Sequence, residues 1–151
     1  VTEPFLLRHT KGAAELPGFV LERASRRMKQ YFQEQLQQAG CGITIDQWVI
    51  LQELEKQDGL SQLEIAKATF KDAPTVTRIL DLLCDRGLTR RITDLEDRRR
   101  FQIELTDAGR AKIAEALPII EQAREKTWQG FDEEKLDTLM LMLNEMFENL
   151  K

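Results

Sequence analysis

A mainly α-helical fold with a small β-hairpin wing, a winged helix-turn-helix carried between long N- and C-terminal dimerisation helices, is predicted by three observations. Apolar residues recur at three- and four-residue steps through most of the chain, the pattern switches to strict alternation only between residues 89 and 105, and capping residues precede the periodic stretches. From Leu16 to about Ala39, Leu16, Phe19, Val20, Met28, Tyr31, Phe32 and Leu36 form one stripe of a long amphipathic helix that Gly40 and Gly42 close. Thr44 with Gln47 forms a capping box opening a second helix, with Trp48, Val49, Leu51 and Leu54 inward and Asp58-Gly59 at its end.

Ser61 with Glu64 reads as another capping box, starting a short helix that buries Leu63, Ile65 and Ala66. Asp72 caps the next, where Pro74 is tolerated because a first-turn residue needs no N–H donor. Val76, Ile79, Leu80 and Leu83 face inward, and Gly87 ends the helix. Two short helices joined by a tight connection outline a helix-turn-helix. Residues 89–93 and 100–105 then alternate polar and apolar around the charged turn Asp94-Leu95-Glu96-Asp97-Arg98-Arg99, a hairpin. Thr106 caps a long helix that Pro118 is expected to bend. Asp132 caps a last one with the stripe Leu136, Leu139, Met140, Leu143, Met146, Phe147 and Leu150. That stripe is too apolar to be left without a partner. The chain thus divides into an N-terminal arm and dimerisation helix (1–40), a winged helix (43–105) and C-terminal dimerisation helices (106–151).

Composition narrows the function. With 42% hydrophobic and 32% charged residues the chain can build a compact core, and its net charge of −4 excludes a polybasic coat. No apolar run reaches the roughly 18 residues of a membrane helix, so a cytoplasmic protein without a membrane partner is expected. There is no Gly-rich phosphate loop and no GxSxG, and His9 is the one histidine. Catalysis by a histidine triad, a zinc site or any cofactor has nothing to stand on, so no enzyme is expected.

The charge is unevenly placed. Residues 1–59 hold 7 basic and 8 acidic groups, residues 60–110 hold 10 and 9, and residues 111–151 hold 5 and 9. Of the three, only residues 60–110, which hold most of the proposed winged helix, have a positive balance, and arginine predominates there, as suits planar contacts with phosphates and base edges. On the helix after Asp72, the residues off the apolar stripe near its start are Ala73, Pro74, Thr75, Thr77 and Arg78, the positions that recognition helices present to bases. Arg90, Arg91 and Arg98 suit phosphates; Arg99 suits an adjacent narrow minor groove, with the Asp97 carboxylate directing its guanidinium. Asp81 and Asp85 read as solvent-side or intraprotein partners. The expected partner is double-stranded DNA.

The stretch Ile43-Thr44-Ile45-Asp46-Gln47-Trp48, the helix start Asp72-Ala73-Pro74-Thr75-Val76-Thr77-Arg78, the wing Asp97-Arg98-Arg99 and the cap Leu105-Thr106-Asp107-Ala108-Gly109 together resemble the MarR-type winged-helix transcription regulators. The resemblance implies a homodimer with first and last helices interleaved, a repressor acting on a pseudo-palindromic operator, the recognition helix in the major groove and a wing arginine, here Arg99, in the minor groove. It also implies a small aromatic or phenolic effector in a cleft between the dimer and DNA-binding parts. Phe19, Met28, Tyr31, Phe32 and Trp48 are candidates to line it, although aromatics at helical spacing are more often core. Two alternatives stand beside this reading. One is a winged-helix protein-interaction module. The other is a cysteine-based redox sensor, for which Cys41, between two glycines, is the candidate thiol, while Cys84 reads as a small buried hydrophobe.

Overall fold

The computed structural model describes residues 12–151, so His9 lies outside the described residues. After a 3₁₀ turn the elements run α1 (Pro17–Gln38), α2 (Ile45–Lys56), β1 (Leu60–Ser61), α3 (Gln62–Thr69), α4 (Ala73–Asp85), β2 (Thr89–Thr93), β3 (Phe101–Leu105), α5 (Asp107–Thr127) and α6 (Glu133–Asn149). This is a winged helix-turn-helix flanked by long helices, as expected. The capping chemistry explains the helix starts. Thr44 Oγ1 accepts from Gln47 N at 3.1 Å while the Gln47 side chain accepts from Thr44 N at 3.0 Å, completing the box. Ser61 makes only half of one: its hydroxyl accepts from Glu64 N at 3.1 Å, but the Glu64 side chain does not return the bond. Asp72, Thr106 and Asp132 cap α4, α5 and α6 through their side chains. Pro118 lies inside α5, which continues through it as one helix.

The sheet is antiparallel in the order β1-β3-β2, with Thr89 opposite Leu105 and Thr93 opposite Phe101. β1 was not expected; it has two residues, and Ser61 is both strand end and helix cap. One core joins the winged helix to its flanks. Trp48, Leu51 and Leu54 of α2, Ile65 of α3, Val76, Leu80 and Leu83 of α4 and Ile103 of β3 pack with Phe32 and Leu36 of α1 and with Ile113, Ala116, Ile120 and Ala123 of α5. Leu63, expected inside, is 59% exposed, because α3 turns its Ile65 and Ala66 side inward.

The outer ends of the long helices are different. Leu16, Phe19, Val20 and Met28 of α1 are exposed, and α6 buries no residue although Met140, Leu141, Met142, Met146 and Phe147 are apolar. A helix with an uncovered apolar stripe requires another surface. Phe147 does meet the winged helix, its ring standing edge-on to Phe70 at 5.6 Å between centroids. Phe70 ends α3 with φ +52°, the left-handed conformation that turns the chain sharply into α4.

Candidate nucleic-acid interface

Asp72 sets the start of α4. Its Oδ1 accepts from Thr75 N at 2.8 Å, and the hydrogen bonds from Thr75 hold the carboxyl below its usual range. Ala73, Pro74, Thr77 and Arg78 are exposed behind it, while Thr75 is half-buried. Thr77 is less free than its sequence position implied. Its hydroxyl donates to Ala73 O at 3.0 Å and accepts from Gln62 Nε2 at 3.0 Å, so it fastens α3 to α4. Gln62 was not singled out in the sequence, because nothing local signals a partner fifteen residues away.

The arginines fall into two groups. Arg90 meets Glu104 Oε2 at 3.0 Å across the β2–β3 pair, and Arg91 meets Asp81 Oδ1 at 2.6 Å, joining the wing to α4. Asp81 is thus the intraprotein partner it was expected to be. Arg98 and Arg99 have no carboxylate within ion-pair distance among the described residues, and both are exposed. Asp97 does not direct the Arg99 guanidinium as expected. Its Oδ1 accepts from the Arg99 backbone N–H at 3.0 Å and its Oδ2 lies 3.8 Å from Arg100 Nε. A short carboxylate two residues ahead in a turn closes onto the backbone more readily than onto a long side chain. Arg99 and Arg100 instead line a cleft against α3, together with Ser61, Gln62 and Lys67. Gln62 therefore links α4 and the wing side: it borders the cleft with Arg99 and Arg100 and bonds α4 through Thr77.

Above α4 two larger clefts meet at Asp46. One, about 700 Å³, lies between α1, the start of α2 and α4, and includes Arg26, Lys29, Thr75, Arg78 and Leu82. The other, about 650 Å³, lies between α1, α2 and α5 and includes Met28, Phe32, Trp48, Lys71, Arg124 and Trp128. Three of the five effector candidates are thus brought together, but Trp48 and Phe32 are core residues, 2% and 9% exposed, offering only an edge. Tyr31 borders a separate recess with Arg27, and Phe19 lies on the exposed outer part of α1. Trp128 was missed; it follows the last turn of α5 and carries no periodic signal.

Asp46 accepts from Lys71 Nζ at 2.7 Å and pairs with Lys29 at 3.1 Å, tying α1, α2 and the α3–α4 turn. Burial pulls its carboxyl up, but the bonds and positive charge of Lys71 and Lys29 outweigh this and leave it below its usual range. A carboxyl lowered by folding stabilises the fold at pH values above its unfolded pKa, and that contribution is lost as acid protonates the native state. The stability gap between wild type and Asp46→Asn is expected to be present at neutral pH and to close below about pH 4; a gap independent of pH in urea titrations would refute the clamp.

Neither cysteine is exposed. Cys41 is buried, 1% exposed, contrary to the exposure expected between glycines, because Lys112 Nζ reaches over to its carbonyl at 2.9 Å and α5 covers it. Burial pushes its thiol up and Glu115 adds to this, outweighing Lys112 and Arg86. A protonated buried thiol is a poor nucleophile. Cys84 is half-buried, its Sγ 3.2 Å from Thr89 Oγ1.

A capped reading helix, an arginine-bearing wing and long apolar flanking helices define the winged-helix class of nucleic-acid-binding architecture. The MarR family model matches residues 43–101. The chain is 30% identical over 133 residues to the HTH-type transcriptional repressor YetL of Bacillus subtilis (strain 168), an alignment spanning 87% of this chain and 76% of that one. Among solved structures, BpsR of Bordetella bronchiseptica, whose DNA binding is regulated by 6-hydroxynicotinic acid, superposes with a TM-score of 0.82 at 30% identity over 90% of this chain and 96% of that one. The MepR–DNA complex of S. aureus gives 0.79 at 29% identity over 89% and 98%. The chain belongs to the MarR family. Among the described residues no helix is long and apolar enough to cross a membrane.

Proposed function

We propose that this protein is a sequence-specific DNA-binding transcription regulator, a repressor that acts as a homodimer on a pseudo-palindromic operator, answers to a small ligand and catalyses no reaction. The observation that supports this reading is the convergence at Gln62, which bonds the exposed start of α4 and borders the cleft with the wing residues Arg99 and Arg100, in a chain whose net charge is negative. DNA affinity in such a chain has to come from a local field, and this is where it lies. Residues 1–40 and 106–151 supply the dimer part, in keeping with the bare apolar stripes of α1 and α6. Residues 43–105 supply the reading part.

In this reading Ala73, Pro74, Thr75, Thr77 and Arg78 face the major groove. Arg99 enters the neighbouring minor groove. Arg98 meets phosphates at once, while Arg90 and Arg91 first exchange Glu104 and Asp81 for them. The effector is a small aromatic or phenolic molecule bound in the cleft beside Trp48 and Trp128, where Arg124 supplies positive charge. Regulators of this kind work in the cytoplasm.

The deciding experiment is a fluorescence-anisotropy titration with the promoter duplex of the protein's own gene and a scrambled duplex, at several salt concentrations. Wild type is expected to prefer the promoter and to lose affinity as salt rises. Arg78→Ala should forfeit about 1–3 kcal/mol of that preference, while Arg99→Ala should weaken binding and flatten its salt dependence. Equal weak binding to both duplexes would refute the regulator, and an unaltered Arg99→Ala would refute the wing assignment.

A further inference from the structure

The cleft between α3 and the root of the wing, about 280 Å³, gathers Ser61, Gln62, Glu64, Lys67, Arg99 and Arg100. Three cations stand against one carboxylate. Lys67 is exposed with no ion-pair partner among the described residues, and Arg100 has only the long 3.8 Å approach of Asp97. Such a group of cations is normally left dispersed by mutual repulsion, and here it is held together by elements whose backbones are fixed. Arg100 N donates to Asp97 O and Arg100 O accepts from Asp94 N, both at 3.0 Å, closing the wing turn, while Gln62 is locked to Thr77.

The position of the cleft gives it a role. When a helix occupies a major groove and a hairpin tip the next minor groove, the sugar-phosphate strand separating those grooves must pass between the two elements. On this chain the α3–wing cleft opens beside the start of α4, since Gln62 belongs to its wall and is bonded to Thr77 of α4. We infer that this cleft is a clamp for a DNA backbone phosphodiester, gripped by Lys67 from α3 and Arg100 from the wing, with Glu64 at its rim limiting the affinity. The inference rests on the DNA-binding reading above. It adds a sequence-independent contact from Lys67, which the charge pattern alone did not mark, and gives Arg100 a partner on α3.

The test measures the affinity of the full-length protein for the promoter and scrambled duplexes across a salt series, for wild type, Lys67→Gln, Arg100→Gln and Glu64→Gln. Each cation removed should lower the slope of log affinity against log salt by roughly 0.9 per protomer, hence by about two for a dimer. The loss should be equal on both duplexes, so their affinity ratio is unchanged, whereas Glu64→Gln should tighten both. All three side chains are exposed, and matched thermal unfolding confirms that the variants fold. Slopes equal to wild type, or a changed promoter-to-scrambled ratio, would overturn the clamp while leaving the regulator standing. Failure of wild type to bind either duplex would overturn the regulator and the clamp together. Inorganic phosphate competes only as strongly as chloride of equal ionic strength if the site takes a DNA backbone; stronger competition would mark a free-anion site and overturn the assignment.

Discussion

Trp48→Ala is expected to cost about 3–5 kcal/mol of stability, the range for removing a large buried aromatic side chain. The indole is 2% exposed and shares one core with α1, α4 and α5, so its loss leaves a void bordered by several elements that cannot all close in. Urea denaturation at fixed protein concentration reads the effect, since association also contributes to the measured stability. The size of the loss also separates two roles for this residue. Trp48 borders the cleft beside Trp128, and a side chain serving chiefly as cleft wall would cost under about 1 kcal/mol and would alter ligand response instead. A loss of that smaller size would remove Trp48 from the core.

Gly109→Ala is expected to be the second most damaging change, for a reason unrelated to glycine's flexibility. Gly109 sits in the first turn of α5, where a Cβ would come within 2.1 Å of the Leu88 carbonyl oxygen and 3.1 Å of Leu105 Cδ2. The carbonyl cannot retreat, because it accepts from Thr106 N at 3.2 Å, and the Thr106 hydroxyl bonds Gly87 O at 2.6 Å. α5 must therefore shift against the corner between α4 and β2, a clash of the overpacking kind worth about 1–3 kcal/mol or more. Gly18→Ala is the control: nothing lies within 4 Å of its would-be Cβ in α1, so a gain of up to about 1 kcal/mol is expected. Equal effects from the two substitutions in thermal denaturation would remove the steric explanation.

Local chemistry was legible where it acts over short spans. Caps at Thr44, Asp72, Thr106 and Asp132, and the change of period at Thr89, announce their elements because each depends on residues at most a turn or two away. What escaped depends on pairs brought together by folding. β1 is two residues long and exists only because β3 lies beside it, and no window of sequence contains both. The same holds for Gln62 on Thr77, Arg91 on Asp81 and Lys71 on Asp46. Asp97 shows the opposite error, since proximity in sequence pointed to the Arg99 guanidinium when the nearer backbone N–H had the better geometry. For the candidate interface this means that the chain shows which groups stand at the start of α4 and on the wing, but not the ties that hold those elements together.

The single core described above also governs the order in which the protein becomes competent during its synthesis. α1 contributes Phe32 and Leu36 to the packing under the reading helix, and α5 contributes Ile113, Ile120 and Ala123. A ribosome that has just released residue 105 has made α4 and the wing, yet the α5 share of the core, Ile113, Ala116, Ile120 and Ala123, is still missing. The reading head is complete only when residues up to about Ala123 have emerged, and α6, with its uncovered stripe, follows last. Nascent chains that stop short therefore carry the wing arginines without the part of the core that α5 supplies.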